Sequence, residues 1–235
     1  MSSSDHISKQ FDTELEAIRA NVLQMGGLVE RQIKNAIDSL VSGDVAMMTQ
    51  VIAEDHRVNA MEVKIDEACS QVIARRQPTA GDLRLIMTVV KTITDLERIG
   101  DEAEKIARMA KMLSQKHGLA IPRYHEIKHT SEIAVDMLRK ALDAFARLDV
   151  VMAAQVVRQD EQVDTEFQAI MRYLITFMME DPRTISTSLE ILFVAKAIER
   201  IGDHAQNIAE YVIYMVKGRD VRHITMDEID LEVQQ

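Results

Sequence analysis

Glu97-Arg98-Ile99-Gly100-Asp101 recurs letter for letter as Glu199-Arg200-Ile201-Gly202-Asp203, 102 positions later. Around this pentapeptide the agreement widens. Asp38 recurs as Asp143 and Asp44-Val45 as Asp149-Val150, now 105 positions apart. At the same offset Met47, Gln50, Val51, Asp55, Val58 and Ile65 recur as Met152, Gln155, Val156, Asp160, Val163 and Ile170. Chance similarity between amphipathic helices does not give a five-residue identity at matching places, so the chain is read as an internal duplication. The small difference between the two offsets fits a shorter connection between the second and third helices of the second copy.

Chain breaks divide each copy into three. They fall at Ser42-Gly43-Asp44, at Gln77-Pro78-Thr79-Ala80-Gly81-Asp82, at His117-Gly118 with Pro122 following, at Leu148-Asp149, at Asp181-Pro182 and at Lys217-Gly218. Proline disfavours helical geometry in the residue before it, and glycine ends helices. Six segments of about 25 to 35 residues with helical periodicity lie between the breaks. In the second, Val51, Val58, Ile65 and Val72 repeat at the seven-residue spacing of one buried face. The expected fold is all-α, two tandem three-helix bundles, with residues 1–117 as the first repeat, 118–217 as the second and 218–235 as an acidic tail.

Composition agrees. Of 235 residues, 47% are hydrophobic but only 4% aromatic, and there are 3 Pro and 8 Gly. The net charge of −10 argues against a protein that grips nucleic acid, which would carry a dense basic stripe. A lone cysteine, Cys69, excludes an intramolecular disulfide and reads as a small buried apolar residue. The N-terminal residues include Asp5, Lys9, Asp12, Glu14 and Glu16 and lack the apolar core of a signal peptide. Apolar runs such as Ile191 to Ala195 fall far short of the ~20 residues that span a bilayer. A cytoplasmic location is expected. The 15 methionines, among them Met47, Met48, Met87, Met152, Met171, Met178, Met179 and Met215, are expected mostly in the core.

The repeated motif places two carboxylates four residues apart on one helix face. Like charges so spaced weaken a helix by roughly 0.2–0.5 kcal/mol, and the interior glycine costs about 1 kcal/mol relative to alanine. A sequence that accepts both penalties twice needs a compensating interaction. Close approach of a neighbouring helix could explain the glycines; a cation, or the adjacent Arg98 and Arg200, could explain the acids. The second helix of each copy supplies partners, Asp160 and Asp164 in one and Asp55 and Asn59 in the other. With Glu97, Asp101, Glu199 and Asp203 they form two candidate metal sites, with Glu104 and Glu210 as outer ligands. Hard oxygen ligands suit Mg²⁺, Mn²⁺, Ca²⁺ or iron. Asn59 removes one charge from the first site, which is expected to bind more weakly or to take a different cation. A single acidic pair is ordinarily a solvated helix face; duplication is what favours a site here.

Catalysis finds little support. A di-iron oxidase of the ferritin-like kind wants Glu-x-x-His pairs, and neither motif contains one. His204 follows Asp203 but is matched by Glu102 in the first copy, so it reads as a surface or rim residue. No glycine-rich phosphate loop is present. A carboxylate-bridged hydrolase or oxidase and a metal-free helical scaffold stand as alternatives to a regulator.

The two Glu-Arg-Ile-Gly-Asp copies, with Arg76-Gln77-Pro78-Thr79, Asp82-Leu83-Arg84, Met179-Glu180-Asp181 and Val216-Lys217-Gly218, resemble the PhoU family over roughly residues 5 to 225. The resemblance implies paired three-helix bundles related by pseudo-twofold symmetry, often assembled as a homodimer. It implies divalent or trivalent ions, with iron, manganese or magnesium expected, on Glu97, Asp101, Glu199, Asp203, Asp55, Asp160 and Asp164. It further implies a negative regulator of phosphate uptake and of the phosphate-starvation response. The implied partners are the ATPase subunit of a phosphate ABC transporter and a membrane sensor histidine kinase, reached from the cytoplasm at the inner face of the membrane without insertion.

Overall fold

The computed structural model describes residues 9–115 and 124–234. The break expected at His117-Gly118 and Pro122, and with it the boundary between the copies, lies outside the described residues. Among the described residues the chain is helical with no strand. The first copy comprises α1 (Lys9–Ser42), α2 (Val45–Glu54), α3 (His56–Arg76) and α4 (Ala80–Ser114). The second comprises α5 (Tyr124–Arg147), α6 (Val150–Glu180) and α7 (Ile185–Lys217), with a single 3₁₀ turn at Pro182–Thr184. A final helix, α8 (Met226–Gln234), follows.

Matching residues make matching turns. The left-handed turn after the first helix of each copy falls on Gly43 (φ 72°) and Leu148 (φ 58°), 105 positions apart. The next residue caps the second helix in both: Asp44 Oδ1 accepts from the Met47 amide, and Asp149 Oδ1 accepts from those of Val151 and Met152. Gln77 closes α3 in a left-handed conformation before Pro78, and Gly218 closes α7.

The second copy's middle helix runs unbroken through Asp160, but its first-copy counterpart is interrupted at Asp55 and forms α2 and α3. There the Asp55 carbonyl accepts from both Val58 N (2.9 Å) and Asn59 N (3.4 Å), a tightened turn at a candidate ligand.

The copies do not stand apart. One continuous apolar core includes Val22, Ile33, Leu96 and Ile99 of the first and Leu138, Phe145, Ile198 and Ile208 of the second. Its centre is the antiparallel α4–α7 pair, the most extensive helix contact. Lys91 lies over the rings of Tyr211 and Tyr214, Asp95 meets His204, and Arg200 pairs with Glu102. In a second seam α1 approaches α5 so closely that Leu142 occupies the space of a Cβ on Gly26.

Two expectations change. The segment read as an acidic tail folds back: Val221 and Ile229 are buried, and Asp230 pairs with Arg158 of α6. Thr225 and Glu228 form a reciprocal cap, the Thr225 amide donating to Glu228 Oε2 at 2.8 Å and the Glu228 amide to Thr225 Oγ1 at 3.4 Å. The methionines are split rather than mostly internal. Met48 and Met215 are buried, whereas Met87 and Met179 are exposed.

Candidate metal centre

In the second repeat α6 and α7 pack side by side and bring Asp160, Asp164 and Asp203 together. One oxygen from each lies within 4.8 Å of the others. Gly202 makes this possible: a Cβ there would stand 3.1 Å from Asp160 Oδ1 and 3.4 Å from Val163 Cγ1. The glycine therefore admits a carboxylate against the backbone of α7. Gly202→Val is expected to destabilise the fold by about 1–3 kcal/mol, read from denaturant midpoints.

Asp160 Oδ1 is sealed from water and accepts no hydrogen bond. Burial, followed by the charges of Asp203, Asp164, Glu199 and Glu210, pushes its carboxyl up to about 7. Burial and the Glu199 charge likewise raise Asp203. A buried anionic oxygen without a partner is a place for a proton or a metal ion. The oxygens are hard, and the group offers three of them, which fits a divalent or trivalent cation.

Glu199 stands beside this group rather than in it. It is 8% exposed and held by Lys196 Nζ at 2.5 Å. The Lys196 ammonium also lies over the Phe167 ring. Arg200, which could have neutralised the motif, turns instead to Glu102 of α4. Glu210 accepts from Gln206 Nε2 at 3.2 Å and lies outside the three-oxygen group.

The first repeat is built differently. Arg98 straddles its motif, Nε 3.5 Å from Glu97 Oε2 and Nη1 3.3 Å from Asp101 Oδ2. Asp101 is exposed for 40% of its side-chain area, and Glu104 is taken by Arg108. Asp55 is buried, accepts from Asn59 Nδ2 at 3.1 Å, and keeps Oδ1 unpartnered. Burial, then Glu104 and Asp101, raises its carboxyl above the usual range. Burial and Asp101 raise Glu97, against the pull of Arg98. Glu97, Asp101 and Asp55 are not drawn into a carboxylate group like that of the second repeat.

His204 is not at the rim. It lies in the α4–α7 seam with 16% of its side chain exposed, and Nδ1 is 2.6 Å from Asp95 Oδ1. Asn207 Nδ2 donates to the same oxygen at 3.1 Å, and Tyr211 hydrogen-bonds to the carboxylate. The partner of His204 sits in the other copy, where no local spacing reveals it. Cys69 is buried, and burial pushes its thiol up to about 11, which suits an inert packing residue.

Comparison with known proteins follows the same two units. A family model described as the PhoU domain matches residues 22–110 and again 127–212. The chain is 48% identical over 233 residues to the phosphate-specific transport system accessory protein PhoU homolog of Pseudomonas putida, covering 99% of this chain and 91% of that protein. It is 50% identical over 226 residues to the Escherichia coli phosphate-specific transport system accessory protein PhoU, covering 96% and 92%. The crystal structure of PhoU from Pseudomonas aeruginosa superposes with a TM-score of 0.86 at 48% identity, over 89% of this chain and 100% of that one. That of the phosphate transport system regulatory protein PhoU from Streptococcus pneumoniae gives 0.83 at 28% identity, over 90% and 99%.

Proposed function

The chain belongs to the PhoU family, and on that premise we propose that it restrains phosphate uptake and phosphate-starvation signalling through protein contacts. Its named relatives are accessory proteins of phosphate-specific transport, which supports a regulator and sets aside the carboxylate-bridged enzyme. The partners in this reading are the transporter's ATPase subunit and the membrane sensor histidine kinase. The protein meets them at the cytoplasmic face as a homodimer. Among the described residues no helix is long and apolar enough to cross a membrane, so recruitment to that face rests on these partners.

The cation part of the proposal is carried by one observation, the sealed and unpartnered Oδ1 of Asp160, whose carboxylate is grouped with those of Asp164 and Asp203. A hard metal ion held by these three side chains neutralises their repulsion. It thereby fixes α6 against α7, so that the helix faces offered to a partner keep one arrangement. Asp160, Asp164 and Asp203 are the residues that would hold the ion; Lys196 and Glu199 set the charge beside it.

The role is tested by affinity capture of the tagged chain from cells grown with and without phosphate, with identification of what is retained. The expected result is co-purification of a transporter ATPase or a sensor kinase that changes with phosphate supply. Recovery of neither under both regimes would refute the adaptor reading.

A further inference from the structure

Gln32 stands out in the first repeat. It sits on the inner face of α1, 2% exposed, and neither atom of its amide group has a hydrogen-bond partner. Leaving a buried polar group unsatisfied is destabilising, because its bonds to water are lost and not replaced. Two further orphans lie close by, Asp55 Oδ1 and Asn59 Oδ1, both sealed from water. Gly100 brings two of these residues together: a Cβ there would stand 3.5 Å from Asp55 Oδ1 and 3.6 Å from Gln32 Oε1. Asn59 is tied to Asp55 by its own amide. Two chain elements thus aim unsatisfied oxygens at one spot over the glycine, and Asn59 joins the second of them.

The second repeat has no such arrangement. At the offset of 105, Gln32 is matched by Met137, which is fully buried, and Asn59 by Asp164. One repeat therefore has three grouped carboxylates and a methionine at the α5 position. The other has one inner carboxylate and two amides, one of them Gln32 at the corresponding α1 position. In that repeat the acids Glu97 and Asp101 are bridged by Arg98.

We propose that Gln32 is a ligand of the first-repeat site, and that this site takes a single divalent cation of the Mg²⁺, Mn²⁺ or Ca²⁺ kind through Gln32, Asp55 and Asn59. Amide carbonyls are hard, neutral oxygen donors that these ions accept. With only one inner carboxylate the site offers too little charge for a trivalent ion, which favours the aspartate trio of the second repeat. The two halves of the duplication thereby hold different ions. This deepens the cation reading above and rests on it. The orphan atoms explain Gln32 without appeal to the acidic motif. A polar side chain that binds nothing at this depth is worse than the methionine of the sister repeat.

The test is a Mn²⁺ titration of the full chain, followed by the loss of the free-ion electron paramagnetic resonance signal. Wild type is expected to show two classes of site. Gln32→Met, which installs the sister repeat's residue and removes the two orphan atoms of Gln32, should weaken one class at least tenfold and leave the other in place. Gln32→Glu should tighten that same class at least tenfold, and Asp160→Asn should remove the other. An isotherm for both Gln32 variants that superposes on wild type, while Asp160→Asn still loses a class, would overturn the assignment of Gln32 and spare the second-repeat site. Failure of the wild-type chain to bind Mn²⁺ at all would overturn both.

Discussion

Asp160→Asn is expected to raise the melting temperature of the metal-stripped protein at pH 8 by about 2–6 °C and to abolish its stabilisation by Mn²⁺. The sign follows from the direction of the pKa. Burial, then Asp203, Asp164, Glu199 and Glu210, lifts the Asp160 carboxyl to about 7 in the folded chain. The unfolded chain ionises near 3.9. Between about pH 4 and pH 7 the folded state therefore holds the extra proton. Stability of the stripped protein falls as pH rises through that window and levels off above it. A pKa displaced so far would alone amount to several kcal/mol. Partial exposure of the group reduces this to about 1–2 kcal/mol. Asparagine keeps the shape, removes the charge and offers its amide to Asp164 or Asp203.

With the ion present the order reverses. A ligand at a hundred times its dissociation constant stabilises the folded state by about 2.7 kcal/mol, and wild type alone should gain it. The same proton competes with the ion, so apparent Mn²⁺ affinity should weaken steadily below pH 7. Thermal melts at pH 5, 6 and 8, with chelator or with Mn²⁺, separate these effects. A stripped variant that melts below wild type at pH 8, or gains as much from Mn²⁺, would remove Asp160 from the site.

Much of this was legible from the repeated pentapeptide. Word-for-word recurrence of Glu97 to Asp101 as Glu199 to Asp203 fixes the duplication. The penalty of a helix-interior glycine points to a close approach, and both glycines meet an aspartate of the neighbouring helix, Asp55 or Asp160. Other features depend on where a side chain turns, which spacing does not encode. Arg98 folds over its own acids while Arg200 reaches across to Glu102, so one arginine quenches its motif and its duplicate does not. Gln32 was detectable in principle, since alignment at the offset of 105 sets it against Met137. The helix at Met226–Gln234 is likewise signalled by Thr225-x-x-Glu228, a spacing that net acidity does not reveal.

Asp95→Ala is expected to destabilise the protein by about 3–5 kcal/mol, because each buried donor left without its acceptor costs about 1–3 kcal/mol. Asp95 is 7% exposed at the centre of α4, and it faces the opposite copy. Its carboxylate receives Nδ1 of His204, Nδ2 of Asn207 and the Tyr211 hydroxyl, all on α7. Because a carboxylate can only accept, His204 carries its proton on Nδ1. Truncation strands three donors in the seam where the two repeats share their core. In the second copy the position equivalent to Asp95 is Ala197, fully buried, so the duplicated fold itself has no need of the acid. What Asp95 supplies is a polar register between non-identical halves. Asp95→Leu, an apolar replacement, should therefore be less harmful than the loss of one partner alone if His204 and Asn207 are changed to apolar residues with it. A double-mutant cycle of Asp95→Ala with His204→Ala, read by urea unfolding, should give a coupling of about 0.5–3 kcal/mol. Additive effects would mean that the pair contributes nothing beyond each side chain's own burial, and that apolar packing alone joins the repeats.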